Sequence, residues 1–204
     1  MRTVSIVTTS GDEPTIWVAA LGNNVDAFAA IFDLHRDRVY RHVLRMTANV
    51  HDAEDVAAAA FLELWRRRKS VRVVDGSVLP WLLVTATNQA RNLARGTRRY
   101  RALIAALPRS EDKRSAEDVA LERIEEMRIA AQFREALSKL TPSDAALISL
   151  TAFEHYSPAQ AAAALGISAG AARTRLHRAR TRMASNLGTT TNANDDNATK
   201  ENCR

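Results

Sequence analysis

The chain has a single cysteine among 204 residues, Cys203, next to the last. That excludes an internal disulfide framework and any multi-cysteine metal site, and it suits a reducing compartment. Glycine and proline are scarce, 7 and 5. With alanine abundant, few positions would interrupt a helix and many favour one. No apolar run approaches the roughly 20 residues needed to span a bilayer. Met1 to Gly11 holds one arginine and no apolar stretch suited to a signal peptide. A cytoplasmic protein without membrane insertion is expected. Catalytic signatures are missing too: no phosphate-binding loop, nucleophile elbow or metal-ligand spacing can be found. His35, His42, His51, Asp52, Glu54 and Asp55 are the only conspicuous polar candidates. His51 to Asp55 read as capping residues ahead of and within a first helical turn, and His35 reads as a core histidine on an apolar face. No enzyme activity, cofactor or metal is expected.

What is present is positive charge and helical periodicity. The formal net charge is +6 and the isoelectric point about 10.1, which fits a nucleic acid, an anionic membrane surface or an acidic partner. The pattern predicts an all-α fold of two small helical domains on a flexible linker. Residues 1–11 read as a disordered N-terminus, 12–107 as the first domain, 108–122 as a polar linker, 123–187 as the second domain and 188–204 as a disordered tail rich in Thr and Asn. In the first domain Phe28, Ile31, Phe32, His35, Val39, Val43 and Met46 share a helical face. A second helix is expected from about Ala53 to Lys69. A third, opened by Pro80, buries Leu82, Ala86, Ala90 and Leu93. In the second domain Ile129, Phe133, Leu137 and Leu140 form a stripe that Thr141-Pro142 breaks. Ser143 or Asp144 is expected to cap the next helix.

Ser157 to Leu187 carries the sharpest local signal. Ser157-Pro158 is an N-cap with proline at the first helical position. In Leu165-Gly166-Ile167-Ser168 the glycine supplies a left-handed turn, the isoleucine plugs the core and the serine caps the next helix. Ala172, Leu176, Ala179, Met183 and Leu187 then form an apolar stripe. This is the plan of a helix-turn-helix, whose second helix reads DNA in the major groove. Its outward face carries Arg173, Thr174, Arg175, His177, Arg178, Arg180 and Arg182 and no acid. Arginine can neutralise phosphate or pair with guanine, and a merely solvated helix usually mixes charge signs.

A second basic surface lies between Asn88 and Leu107, with Arg91, Arg95, Arg98, Arg99 and Arg101 and no acid. Trp81, Thr85, Asn88, Asn92, Arg95 and Arg99 recur at helical spacing. An indole to stack on, amides for base edges and arginines for phosphate suit an unpaired strand, although Trp81 is equally well explained as core.

Together these segments resemble the extracytoplasmic-function (ECF, group IV) sigma factors of the bacterial sigma-70 family. Phe28, Phe32, His35 and Val39-Tyr40-Arg41 look like the start of sigma region 2. His51-Asp52-Ala53-Glu54-Asp55-Val56 with Phe61-Leu62-Glu63-Leu64-Trp65-Arg66 looks like the polymerase-binding helix. Pro80-Trp81-Leu82 with Ala86-Thr87-Asn88-Gln89-Ala90-Arg91-Asn92 looks like the promoter-melting helix, and Leu165-Gly166-Ile167-Ser168 with Arg173 to Arg180 looks like region 4. Ala58 and Ala59 depart from a frequent Gln-Glu pair, and Ala171-Ala172 from a frequent Thr-Val.

The resemblance implies a factor that binds core RNA polymerase and directs initiation. Asp52, Glu54, Asp55, Phe61, Leu62, Trp65 and Arg66 would dock on the β′ clamp helices. Trp81, Asn88, Asn92, Arg95, Arg98 and Arg99 would engage the −10 element, with the loop at about Arg72 to Ser77 taking a flipped base. Arg173, Thr174, Arg175, His177 and Arg178 would read the −35 element while the domain contacts the β flap. Promoter DNA and an anti-sigma factor are the other implied partners. The rival reading is a stand-alone helix-turn-helix regulator. It explains Ser157 to Leu187 but not the two earlier helices.

Overall fold

In the computed structural model residues 13–47, 49–105 and 121–201 are described, without the side chains of 101, 102, 105, 121–127 and 188–201. The expected N-terminal tail, and the expected linker as far as residue 120, lie outside the described residues. Among the described residues there is one isolated bridge, Val74 with Ser77, and otherwise helix and turn.

The first block contains α1 (Glu13–Leu21), α2 (Val25–Leu44), α3 (Val50–Arg67) and α4 (Leu79–Ala105). The α1 helix has no counterpart among the sequence expectations. Asn24 caps α2 by accepting the Ala27 amide at 3.0 Å. Ile31, His35, Val39, His42 and Val43 form its buried face. The start of α3 lies earlier than expected. Asn49 is its cap, accepting the Asp52 amide at 2.7 Å and donating from its side chain to the Asp52 carboxylate at 2.9 Å. His51 and Asp52 therefore sit inside the first turn rather than ahead of it. Satisfying an orphan amide with an Asx oxygen is worth about 1 kcal/mol. The inner face of α3 alternates small and large residues (Ala53, Val56, Ala57, Ala60, Phe61, Leu64), which lets α2 and α4 approach closely. Leu82, Leu83, Ala86 and Ala90 of α4 complete this core. Each fully buried leucine or isoleucine contributes about 1.5–3 kcal/mol of transfer free energy. Between α3 and α4, Asp75 and Gly76 take left-handed backbone, at φ 51° and 79°. They close a tight turn in which Val74 and Ser77 exchange backbone hydrogen bonds of 2.9 and 3.0 Å.

The second block holds α5 (Leu121–Lys139), α6 (Pro142–Ile148), a π-helical turn (Ser149–Phe153), α7 (Pro158–Leu165) and α8 (Ala169–Glu201). Leu137 and Leu140 are buried, but Ile129, expected in the same stripe, is 55% exposed. Thr141, not Ser143 or Asp144, caps α6: its hydroxyl accepts the Asp144 amide at 3.2 Å, and Pro142 occupies the first turn. Ser157 and Gln160 form a full capping box on α7. Gly166 closes α7 at φ 67°, and Ile167 donates back to Ala162 at 3.0 Å, which satisfies a terminal carbonyl. Ser168 accepts the Ala171 amide at the start of α8. Ala172, Leu176, Ala179 and Met183 are buried as the stripe requires. The backbone of α8 stays helical to Glu201, through a stretch whose composition reads as a disordered tail. Residues 188–201 contain no proline to stop propagation, which costs little once a helix exists.

Candidate nucleic-acid interfaces

Two basic surfaces emerge, and they differ in exposure. On α8, Arg173, Thr174, His177 and Arg178 are exposed and Arg175 is half-buried. The Thr174 hydroxyl donates to the Gly170 carbonyl at 3.2 Å. The helix is anchored from behind by the buried stripe and the capped turn, so its cationic side points away from the packing of α6 and α7. An anchored helix with this outward chemistry can enter a major groove.

The α4 surface is only partly open. Asn92, Arg98 and Arg99 are exposed, whereas Trp81, Asn88 and Arg95 are half-buried. Trp81 packs against the core, in keeping with its plain structural reading. The Asn88 side-chain oxygen is buried without a hydrogen-bond partner. Arg95 reaches the Leu140 carbonyl at 3.5 Å. Arg91, which the sequence places in the same basic run, is not at the surface at all. It is 2% exposed and donates to the carbonyls of Leu137, Ser138 and Leu140. These are the unpaired oxygens at the carbonyl end of α5, where the helix dipole favours a cation. Burial, and then the neighbouring Arg95, pull the Arg91 guanidinium below its ordinary pKa, against the favourable field of Asp144.

On α3 the expected polymerase contacts divide. Asp55, Leu62 and Arg66 are exposed, Leu62 by 51%. Glu54 is exposed beside His51. Phe61 is buried and stacks edge-on with Phe32 at 4.8 Å. Trp65 packs edge-on with Phe28 at 5.0 Å and lies under the Arg68 guanidinium at 4.1 Å. Asp52 turns the other way, into a cleft shared with Asn49, Arg98 and Arg134. Asp55, Leu62 and Arg66 thus make the outward strip, while Phe61 and Trp65 support it from within.

Two buried carboxylates were not anticipated as interaction sites. Glu13 accepts from Ser77 at 3.0 Å and from the Val78 amide at 2.8 Å, and meets His35 Nε2 at 2.9 Å. Burial would raise its pKa, but the bonds from His35 and Val78 outweigh this and hold it low. The effect is to pin the Val74–Ser77 turn to α1 and α2. Glu154, just after the π-helical turn, is a carboxylate of the second block seated on the first. It meets Arg38 Nε, Arg45 Nη1 and His42 Nδ1 at 3.0 Å each. Those three residues fall at i, i+4 and i+7, Arg38 and His42 on α2 and Arg45 at its C-cap, along one face. The other His42 nitrogen meets the Thr87 hydroxyl on α4 at 2.9 Å. Burial again opposes ionisation, yet the bonds from His42 and Arg38 prevail and hold the Glu154 carboxyl at about 2. Neither contact could be found from periodicity, because the partners lie 22 and more than 100 positions apart.

No group of three His, Cys, Asp or Glu among the described residues could hold a metal. Among them no helix is long and apolar enough to cross a membrane.

Residues 31–100 match the family described as Sigma-70 region 2, and residues 130–183 match Sigma-70, region 4. An ECF RNA polymerase sigma factor, SigE of Mycolicibacterium smegmatis, is 35% identical over 73% of this chain and 57% of its own length. The RNA polymerase sigma factor CarQ of Myxococcus xanthus is 32% identical over 80% of this chain and 90% of its own. In three dimensions the chain is similar to CnrH, solved in complex with the cytosolic domain of CnrY. That likeness has a TM-score of 0.55 and 23% identity, over 87% of this chain and 97% of that one.

Proposed function

The chain belongs to the extracytoplasmic-function group of the sigma-70 family, and we propose that it joins core RNA polymerase and directs initiation at promoters with two separated elements. The observation that carries this reading is the pairing, in one chain, of an exposed cationic helix-turn-helix face on α8 with a second basic helix, α4. Duplex DNA is read by a helix in the major groove, whereas melted strands call for stacking and a basic track. One chain that presents both is suited to finding a promoter and holding it open.

In this reading Arg173, Thr174, Arg175, His177 and Arg178 engage the −35 element. Asn88, Asn92, Arg95, Arg98 and Arg99 engage the −10 element, with Trp81 as support. Asp55, Leu62 and Arg66 meet the β′ clamp helices, backed by Phe61 and Trp65, while Glu54 and Asp52 flank that strip. The second block contacts the β flap. The protein supplies no bond chemistry, which belongs to the polymerase, and it works in the cytoplasm with the chromosome. An anti-sigma factor is its regulatory partner. Two modest DNA contacts on one chain strengthen each other through effective concentration once the polymerase holds them at promoter spacing.

Reconstitution with bacterial core polymerase tests this. The full chain is expected to co-elute with core enzyme on gel filtration, and Leu62→Asp with Arg66→Glu to abolish co-elution while leaving the helical signal intact. Duplex binding without any association with core would instead favour a stand-alone regulator.

A further inference from the structure

The contacts between the two blocks converge on the strand-binding side of the first block. Glu154 lies in the socket of Arg38, His42 and Arg45, its side chain only 5% exposed. Its neighbours in sequence reinforce the seat: Arg45 lies over the Phe153 ring at 5.9 Å and Arg38 over Tyr156 at 5.7 Å. His155 between them holds left-handed backbone, φ 57°, which a β-carbon makes costly and which the surrounding contacts must hold in place.

The same docking engages the residues expected to take a melted strand. Tyr156 forms part of the wall of the cleft under the Asp75–Ser77 turn, opposite Glu13, His35 and Arg38. Gln160 donates to Asp75 at 2.6 Å. The Arg72 guanidinium lies against Gly166, so close that a β-carbon there would fall 2.5 Å from it. Arg95 is turned onto the end of α5 beside the buried Arg91, and the Asn88 oxygen is enclosed without a partner. The recognition face of α8 takes part in none of these contacts.

We propose that the protein alone is self-masked. The Glu154 carboxylate, latched onto Arg38, His42 and Arg45, holds the helix-turn-helix block over the inner part of the strand-binding surface, Asn88, Arg95 and the 72–77 turn, and leaves Asn92, Arg98 and Arg99 of α4 and the duplex-reading face of α8 exposed. This deepens the sigma-factor reading and rests on it for the role given to α4. The latch consists of one carboxylate in a cationic socket, so its partner need only supply a competing anion or a competing surface to release it. Masking lowers apparent strand affinity by the fraction of molecules that are open.

The test uses the full chain with Cys203→Ser and spin labels at Ala19→Cys and Ala184→Cys, both on exposed positions of the two blocks. The parent is expected to give one narrow distance distribution. Glu154→Ala and Glu154→Arg should broaden and lengthen it. Adding Arg38→Glu and Arg45→Glu to Glu154→Arg should restore the narrow distribution, which a merely unfolded variant could not do. Glu154→Gln serves if either substitution loses its helical signal. In parallel, fluorescence anisotropy would follow a labelled oligo(dT) strand of about 20 nucleotides. If about nine molecules in ten are closed, Glu154→Ala should bind it roughly tenfold more tightly, and Arg98→Ala with Arg99→Ala should cancel the gain. An unchanged distribution in both Glu154 variants would overturn the latch. Opening with no change in strand affinity would overturn the masking. Neither readout involves polymerase, so a chain that latches as described but fails to bind core enzyme would count against the sigma-factor reading and not against the latch.

Discussion

The two basic helices, α8 and α4, are similar in composition and opposite in circumstance. Both carry arginine at helical spacing with no acid among them. On α8 the charge faces outward because an alanine-rich back, Ala172 and Ala179 with Leu176 and Met183, is sealed against α6 and α7. On α4 part of the charge is spent inside the protein. Arg91 neutralises the carbonyl end of α5, and Arg95 follows it. A row of arginines is therefore a surface only where its helix has nothing acceptor-rich to lean on. The number of cations does not decide this; the carbonyl ends of neighbouring helices do.

The largest effect that would break the comparison is removal of the support behind α8. Leu176→Ala is expected to cost about 2–5 kcal/mol through lost burial and the cavity left behind. Duplex binding should disappear while α1 to α4 keep their helical signal, and thermal denaturation followed by circular dichroism would show an earlier transition confined to part of the signal. The next effect sharpens the comparison. His177→Ala and Arg178→Ala should each lower affinity for the cognate −35 duplex by about 1–3 kcal/mol, and for random duplex by less. Arg99→Ala should leave the −35 affinity unchanged and slow promoter opening, read by permanganate reactivity of unpaired thymines. Equal losses on cognate and random duplex would reduce His177 and Arg178 to phosphate contacts.

A third outcome concerns pH. The Glu154 carboxyl is held at about 2 in the folded chain against an ordinary 4.5. Its stabilisation is therefore complete above pH 4.5 and is lost as the pH falls towards 2. Arg38, Arg45, His42 and Tyr156 surround it. Acid should loosen the two blocks there before the helices melt, and Glu154→Gln should remove this part of the acid dependence. Interblock spin-label distances against pH would check it. The smallest effect is local: Ser157→Ala removes the α7 capping box and should cost about 1 kcal/mol, visible as a modest fall in melting temperature.

What could be read from the sequence follows the range of the interactions. The helix-turn-helix was legible because its determinants are neighbours: Ser157 with Gln160, Gly166 at a left-handed turn, Ser168 three residues before Ala171. The stripes of α2 and α4 were legible for the same reason, since periodicity reports one helix at a time. His35 was expected in the core and is there; its partner Glu13 was not foreseen, because the short α1 offers no clear amphipathic pattern. The caps at Asn49 and Thr141 were misplaced by two to three residues, since each lies near other residues able to cap. Phe61 and Trp65 share the helix of the docking strip, and only tertiary contacts reveal that Phe32 and Phe28 cover them. The Glu154 socket was invisible, as its partners come from another domain and no local rule pairs them.

The central claim is that both surfaces serve one act, initiation by a polymerase that this chain directs. It is tested most directly by adding the purified protein to core polymerase on sheared genomic DNA and mapping the 5′ ends of the transcripts. Discrete starts are expected, dependent on the protein and sharing two upstream motifs, with selection for the distal motif lost in Arg178→Ala and for the proximal one in Asn92→Ala. Initiation indistinguishable from core enzyme alone, by a protein that still binds duplex DNA, would contradict it.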